Sequence, residues 1–260
     1  MIINDDKILL MLDNSQVILK KIAVNPIFLN DIIKPYGNNI YYIGYEFDET
    51  VTSSVRSRFF QMLKFNDNYL NPTEKEELIK SGLSELVKHT SDLYSFDICC
   101  IPKSRSGLNQ QIVSIFTKMM NIKLIIIELV KELSKDIKFD FDTFLKEELE
   151  SEVNGRERYT EKQKQEQLEK IIEMLRGIKN SDYFSIAESV GKNKYKKYFK
   201  DFLKLDKVDE IEIISKTKKP ILIIDDVTTT GKTLLECLKT LRTLNSNVDI
   251  IIFTLIGKKF

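Results

Sequence analysis

Apolar and polar residues alternate in short runs over the first fifty positions of the chain. Residues 7–12 and 17–22 are apolar runs on either side of a polar stretch, a pattern that indicates a β-hairpin. A run rich in tyrosine and isoleucine at 40–47 predicts a third strand. We therefore expect residues 1–50 to form a small β-rich hood beside a larger domain.

The spacing of apolar residues changes after Val51, where helical periodicity begins. Segments typical of helices and buried strands then follow one another: helix 51–63, helix 74–89, strand 96–101, a helix after Gly107 and strand 124–129. The same order returns as strand 221–224, helix 233–244 and strand 248–256. Strands that alternate with helices are typical of parallel sheets. The pattern predicts an α/β fold with an open parallel sheet, whose core is formed by residues 51–130 and 211–260.

A highly charged stretch at 131–210 separates the two core segments. Its part from Glu147 to Arg176 contains one glycine and no proline, and it predicts a solvated helical arm. We expect the whole chain, 1–260, to be a single domain that carries this charged helical insertion. The insertion is a candidate lid or homodimer contact.

Charge and cysteine content narrow the classes of function. The 40 basic and 39 acidic side chains leave a net charge of +1, which does not indicate a globally basic nucleic-acid binder but leaves local basic patches open. No apolar run approaches the roughly 18 residues that span a bilayer, and the N-terminus lacks the features of a signal peptide. Three cysteines without C-x-x-C spacing and a single histidine disfavour a disulfide framework and a zinc site. We expect a cytoplasmic protein with no membrane partner.

Basic and aromatic residues interleave in the segment from Lys192 to Lys204, and two interpretations remain open. A helix that binds nucleic acid would present lysines with aromatic rings between them. An amphipathic helix would instead bury the aromatic rings and leave the lysine ends at the surface.

The sharpest pattern in the chain is a strand that ends in two acids and a hydroxyl-rich turn. Four apolar residues, 221–224, precede Asp225 and Asp226, and the run Thr-Thr-Thr-Gly-Lys-Thr follows before a helix. Ligands of open parallel sheets bind beyond the carboxyl ends of strands, and N–H groups at a helix start can cradle a phosphate. Adjacent carboxylates favour hydroxyl groups or a hydrated metal as partners. A phosphate beside vicinal hydroxyls describes a ribose 5-phosphate.

Two other interpretations apply to this run. A Walker A loop would share the Gly-Lys-Thr ending at 231–233, but it needs a glycine where Asp226 stands and is therefore excluded. A strand-to-helix turn without a ligand needs only a good helix start. That simpler interpretation leaves two consecutive acids after a buried strand unexplained.

Residues 221–233 resemble the thirteen-residue signature of the type I phosphoribosyltransferases: four apolar residues, two acids and a Thr/Gly-rich phosphate loop. The resemblance implies that Asp225 and Asp226 hold the ribose hydroxyls and, through water, a Mg²⁺ cofactor. It implies that the 5-phosphate is bound by Thr229, Thr230, Gly231, Lys232 and Thr233. In oxopurine-specific members the position of Thr229 is usually an aspartate, so this chain departs from the hypoxanthine–guanine pattern.

A second polar turn, after the strand at 96–101, is the other candidate ligand loop. The family places its pyrophosphate loop at this point in the chain order. The resemblance therefore implies that pyrophosphate is bound by Lys103, Ser104, Arg105, Ser106 and Gly107. It also makes Arg105 an expected catalytic residue together with Asp225 and Asp226.

The layout is further similar to the ComF-like branch of the family, in the runs at 42–45, 59–65 and 107–110. Two features depart from that branch: the sequence has no cysteine-rich zinc module at its N-terminal end, and the charged insertion is unusually long.

The resemblance implies transfer of the 5-phosphoribosyl group from phosphoribosyl pyrophosphate to a nitrogenous acceptor, with release of pyrophosphate. No residue stands out as a base for the acceptor. The alternative is a sensor without catalysis, which binds phosphoribosyl pyrophosphate or a nucleotide and acts through a protein or nucleic-acid partner.

Overall fold

The structure is a computed structural model that describes residues 1–3, 7–12, 15–22, 39–65, 70–90, 95–104, 106–150, 152–153, 156–180, 190, 193–228 and 231–257. These residues divide into two compact units: unit 1 comprises Met1–Leu129 and Leu205–Phe260, and unit 2 comprises Val130–Lys204. None of the described helices is both long and apolar enough to cross a membrane.

The elements are numbered in chain order. The strands are β1 (Ile2–Ile3), β2 (Lys7–Leu12), β3 (Ser15–Lys21), β4 (Asn39–Phe47), β5 (Ile98–Pro102), β6 (Ile125–Lys131), β7 (Lys138–Phe139), β8 (Glu152–Val153), β9 (Arg156–Glu157), β10 (Phe199–Lys200), β11 (Leu203–Lys204), β12 (Ile221–Val227) and β13 (Ile250–Gly257). The α-helices are α1 (Ser53–Phe65), α2 (Pro72–Thr90), α3 (Leu108–Met120), α4 (Phe141–Phe144), α5 (Glu161–Lys179), α6 (Val208–Lys216) and α7 (Lys232–Leu244). Ser134–Asp136 and Asn193–Tyr198 are 3₁₀ turns, and Leu145–Leu149 is a π-helical turn.

The sheet of unit 1 contains eight strands in the order β1-β2-β3-β4-β13-β12-β5-β6. The five strands from β4 to β6 are parallel, and β1, β2 and β3 extend the β4 edge in antiparallel fashion. β12 and β13 lie in the middle and are buried almost throughout, which explains their unbroken apolar runs. The α/β fold with an open, mostly parallel sheet, which the periodicity predicts, is confirmed.

The N-terminal strands continue this sheet and do not form a separate hood beside it. β2 pairs with β3, and β3 pairs with β4 through Leu19 opposite Phe47. Burial alternates along β2, as in a strand with one face on the core and one towards solvent. Without β3, the N–H and C=O groups of β4 would form an open sheet edge, and pairing satisfies them.

The chain winds in opposite directions on the two sides of the β5–β12 pair. From β5 it passes through α3 to β6, whereas from β12 it passes through α7 to β13 on the other side. This reversal makes the β5–β12 pair the topological switch point of the sheet. Ligands of open α/β sheets bind outside the carboxyl ends of the strands at such a point.

Aromatic side chains form the core of unit 2. Ring centroids lie 5.0–6.0 Å apart in contacts among Phe139, Phe141, Phe144, Tyr195, Tyr198 and Phe199. The segment at 193–200 is a 3₁₀ turn followed by a strand, so neither form of the expected helix is present. Its aromatic residues are buried and therefore cannot stack on bases in this conformation. The rings pack because an aromatic side chain buries a large apolar area.

The charged stretch at 147–176 is not one continuous helix. β8 and β9 pair in antiparallel fashion inside it, and α5 begins only at Glu161. The sequence has Asn-Gly at 154–155, the pair that favours two-residue hairpin turns. At the start of α5, Thr160 and Gln163 satisfy each other's backbone N–H in a capping box. A local turn signal and a helix cap therefore divide the predicted arm.

Candidate functional site

Two strand-to-helix turns lie side by side at the switch point of unit 1. Ile223 of β12 pairs with Cys100 of β5, and Asp225 and Pro102 follow two residues later on the two strands. Residues 103–107 connect β5 to α3, and residues 228–231 connect β12 to α7. We call the space beyond these two strand ends the switch-point crevice. The two ligand loops that the sequence predicts thus border one crevice.

Both helices that leave the crevice start after a glycine with left-handed backbone geometry. Gly107 precedes α3 with a φ of 66°, and Gly231 precedes α7 with a φ of 67°. A residue with a Cβ is strained in this conformation, which explains glycine at both positions. The N–H groups of the first turn of α7 and the helix dipole make this end of the helix suitable for an anion.

Asp226 is a buried carboxylate at the end of β12, only 3% exposed. Its Oδ1 lies 2.8 Å from the Nζ of Lys64, the penultimate residue of α1. Its Oδ2 makes no hydrogen bond with any residue that the structure describes. A buried carboxylate oxygen without a donor is costly, so this oxygen indicates a donor that comes from outside the described chain.

Asp225 is buried next to Asp226 and has an altered pKa. Burial and, second, the adjacent carboxylate raise the pKa of Asp225 to about 7. Lys64, the backbone N–H of Asp226 and the amide of Asn109 act in the opposite direction. The N–H of Asp226 donates to Asp225 Oδ1 at 3.0 Å. Burial and the second carboxylate thus both oppose ionisation of Asp225, and a cation bound beside it would favour the charged form.

Two buried hydroxyl groups lie on the neighbouring strands beside Asp225. Thr254 is the register partner of Asp225 on β13, and its Oγ1 lies 2.5 Å from the hydroxyl of Tyr41 on β4. Burial raises the pKa of Tyr41. Because both side chains are fully buried, this hydrogen bond ties β4 to β13, the strand that pairs with β12 beside Asp225.

The predicted 5-phosphate residues are described only in part. Thr229 and Thr230 lie outside the described residues, whereas Gly231, Lys232 and Thr233 form the start of α7. The Nζ of Lys232 lies 3.3 Å from Oε1 of the buried Glu236, one turn further along the helix. The ammonium group of Lys232 thus lies along α7. At the helix start, Lys232 presents its backbone N–H.

The predicted pyrophosphate residues lie in the turn after β5, except that Arg105 lies outside the described residues. Lys103 is exposed, and its N–H donates to the carbonyl of Leu129 at 2.9 Å. The hydroxyl groups of Ser104 and Ser106 lie 3.0 Å apart. This turn therefore offers an exposed cationic side chain and two hydroxyl groups at the edge of the crevice.

Sequence reasoning missed Lys64 and Asn109 as residues of the crevice. The amide of Asn109 donates to the carbonyl of Pro102 at 2.9 Å and stabilises the ionised form of Asp225. Both residues stand in runs that the ComF-like resemblance contains, at 59–65 and 107–110. Those runs were the available signal, but they assign no role to either side chain.

The donor set fits a magnesium ion that arrives with a phosphate ligand. The described residues contain no cluster of three or more His, Cys, Asp or Glu side chains that could hold a metal ion. Mg²⁺ is commonly held by one or two carboxylates together with water and substrate phosphates. Asp225 and Asp226 would hold such an ion, through water.

The chain matches none of the protein-family models and none of the curated proteins. Among solved structures it is similar to a hypoxanthine phosphoribosyltransferase from Staphylococcus aureus in an orthorhombic crystal form, with 17% identity, a TM-score of 0.33 and coverage of 71% of this chain and 68% of that chain. For the tetragonal form the identity is 14% and the TM-score 0.32, with coverage of 71% and 72%.

Proposed function

We propose that this protein binds phosphoribosyl pyrophosphate in the switch-point crevice and transfers the 5-phosphoribosyl group to a nitrogenous acceptor. The observation that carries the proposal is the combination found at one strand end. A buried carboxylate oxygen of Asp226 has no partner among the described residues, and it lies at the switch point next to a glycine-initiated helix. A hydroxyl group of a ligand can donate to this carboxylate oxygen, and a phosphate can bind at the start of the helix.

Each side of the crevice suits one part of the donor. The start of α7, from Gly231, would hold the 5-phosphate through backbone N–H groups. Asp226 Oδ2 would accept a hydrogen bond from a ribose hydroxyl or from metal-bound water. The turn after β5 would hold the pyrophosphate with Lys103, Arg105 and the hydroxyl groups of Ser104 and Ser106. When bound, Mg²⁺ would neutralise pyrophosphate charge.

The proposed reaction is a displacement at the anomeric carbon of ribose. The bond from this carbon to the pyrophosphate oxygen breaks, and a bond to the acceptor nitrogen forms. Positive charge develops on the ribose ring as the leaving group departs, as in glycoside cleavage. The protein would contribute by orienting the donor, and Lys103 and Arg105 would stabilise the negative charge that leaves.

A turnover assay with binding measured in parallel tests the proposal. Thermal unfolding would be followed with phosphoribosyl pyrophosphate and Mg²⁺, and with ribose 5-phosphate or pyrophosphate alone as partial ligands. Pyrophosphate release would then be measured with a panel of purine, pyrimidine and simple nitrogen bases. Stabilisation by the complete donor together with base-dependent release is expected. Stabilisation without release for any base would favour a sensor, and no stabilisation would contradict both.

A further inference from the structure

Lys64 is a cation that the protein itself places at the proposed ligand site. It lies at the end of α1, far from β12 in the chain, and its Nζ reaches Asp226 Oδ1 at 2.8 Å. The side chain of Asp226 is 4% exposed and that of Lys64 is 27% exposed. The lysine thus reaches from the surface to a carboxylate that is almost fully buried.

The contact divides the two oxygens of Asp226 between different roles. Oδ1 accepts from Lys64, whereas Oδ2 has no partner among the described residues. A buried carboxylate is costly without a counter-charge, and Lys64 supplies one. A divalent ion that approached the same carboxylate would meet a positive charge already in place, and Mg²⁺ loses its water reluctantly.

We infer that Lys64 is a resident counter-cation that prevents the acids of the crevice from binding free divalent metal while it holds the side chain of Asp226 in place. Metal would then enter only together with a phosphate ligand, whose negative charge offsets the repulsion from Lys64. The inference deepens the proposed function and rests on it for the identity of that ligand. Lys64 acts through Asp226, so it is a positioning residue.

Titration of the protein with Mn²⁺ alone, without any phosphate ligand, tests this role. Mn²⁺ binding can be followed by electron paramagnetic resonance of the free ion and by thermal unfolding. Removal of one positive charge beside the carboxylate in Lys64→Met should tighten Mn²⁺ binding by about tenfold or more, whereas Lys64→Arg should behave like the wild type. A purely structural ion pair predicts no gain of metal binding in either variant.

Two further variants keep the test decisive. In Lys64→Met/Asp226→Asn, the carboxylate that lost its counter-charge is replaced by a neutral amide. This double variant should therefore lose the Mn²⁺ binding that Lys64→Met gained. Lys20→Met is the matched control, because Lys20 forms a surface pair with Asp48 at 2.7 Å elsewhere in unit 1. It should bind Mn²⁺ as the wild type does.

The inference is overturned if wild type and Lys64→Met bind Mn²⁺ equally, or if the gain persists in the double variant. Should Lys64→Met fail to fold, Lys64→Gln replaces it in the titration. The expected result is then a gain of Mn²⁺ binding in Lys64→Gln that is lost when Asp226→Asn is added. No phosphoribosyl compound is used, so this outcome is separate from success or failure of the proposed function.

Discussion

Each unit of the molecule contains two adjacent acids beside a lysine, and the acids of unit 2 are fully engaged. Glu147 and Glu148 lie on the π-helical turn Leu145–Leu149. Lys197 lies 2.7 Å from Glu147 and 3.5 Å from Glu148. The hydroxyl of Tyr198 donates towards oxygens of the same two residues at 3.2 and 3.0 Å. The hydrogen bond from Lys197 holds the pKa of Glu147 below its usual value.

The acids of unit 1, in contrast, are only partly paired by the described residues. Lys64 pairs with one oxygen of Asp226, and the other oxygen has no partner among the described residues. Burial raises the pKa of Asp225, whereas that of Glu147 is lowered. Acids that are adjacent in the sequence therefore do not by themselves make a ligand site. Buried capacity for hydrogen bonds that the described residues leave unused distinguishes the crevice from a structural ion pair.

The largest expected effect is on ligand binding. Phosphoribosyl pyrophosphate with Mg²⁺ at a hundred times its dissociation constant should stabilise the wild type by about 2.7 kcal/mol. This stabilisation should vanish in Asp225→Asn/Asp226→Asn, because the neutral amides cannot serve the ribose hydroxyls and the metal in the same way. Glu147→Gln/Glu148→Gln is the matched control and should respond like the wild type. An equal response of the two double variants in thermal titrations would break the comparison.

The second effect is on stability and its pH dependence. Asp225 has a raised pKa in the folded state, so the unfolded chain loses this proton first, and folding becomes less favourable as pH rises from about 4 to about 7. Asp225→Asn removes this cost, so we expect a gain of stability at pH 8 that shrinks towards pH 4. Unfolding in urea at pH 5 and pH 8 measures it.

Glu147→Gln should give the opposite sign in the same experiment. The pKa of Glu147 is lowered in the folded state, so its contribution is present above the ordinary glutamate pKa and is lost as pH falls. The substitution should therefore destabilise the protein near neutral pH and matter less in acid. Equal pH slopes for the two variants would contradict the contrast between the two acid pairs.

A smaller effect is expected at Tyr198, which completes the acid pair of unit 2. Tyr198→Phe keeps the buried ring but removes the O–H that both acids accept, and should cost about 1 kcal/mol of stability. The response to phosphoribosyl pyrophosphate should not change. Loss of that response, in calorimetry or thermal titration, would show that the two acid pairs are not independent.

The smallest effect concerns the backbone of the crevice. Gly107→Ala places a Cβ at a φ of 66°, and its nearest neighbour would be Gln110 Oε1 at 4.0 Å, so strain and not a clash sets the cost. We expect a loss of about 1 kcal/mol in urea unfolding. A neutral result would mean that the turn relaxes to another conformation.

Local patterns in the sequence are enough to predict the central strands, the order of the parallel α/β units and the two strand-to-helix connections at the crevice. These features are local or periodic: apolar runs in β12 and β13, glycines before α3 and α7, and the acids that end β12. Such signals depend on neighbours in the chain, which the sequence displays directly. The segment at 147–176 shows the limit of such signals. Its charged composition predicts one continuous helix, and that prediction overlooked the Asn-Gly pair and the cap at Thr160, after which α5 begins.

Which acids find hydrogen-bond and charge partners depends on contacts that form only in the folded chain. Lys64 meets Asp226, Asn109 meets Pro102, and Tyr198 meets Glu148 through contacts between residues distant in the chain. The sheet order also brought the turns after β5 and β12 together and joined β1, β2 and β3 to the main sheet. An unused hydrogen bond is costly where a charged group is buried without a partner. Burial and the partner both depend on packing, and the residue type alone determines neither.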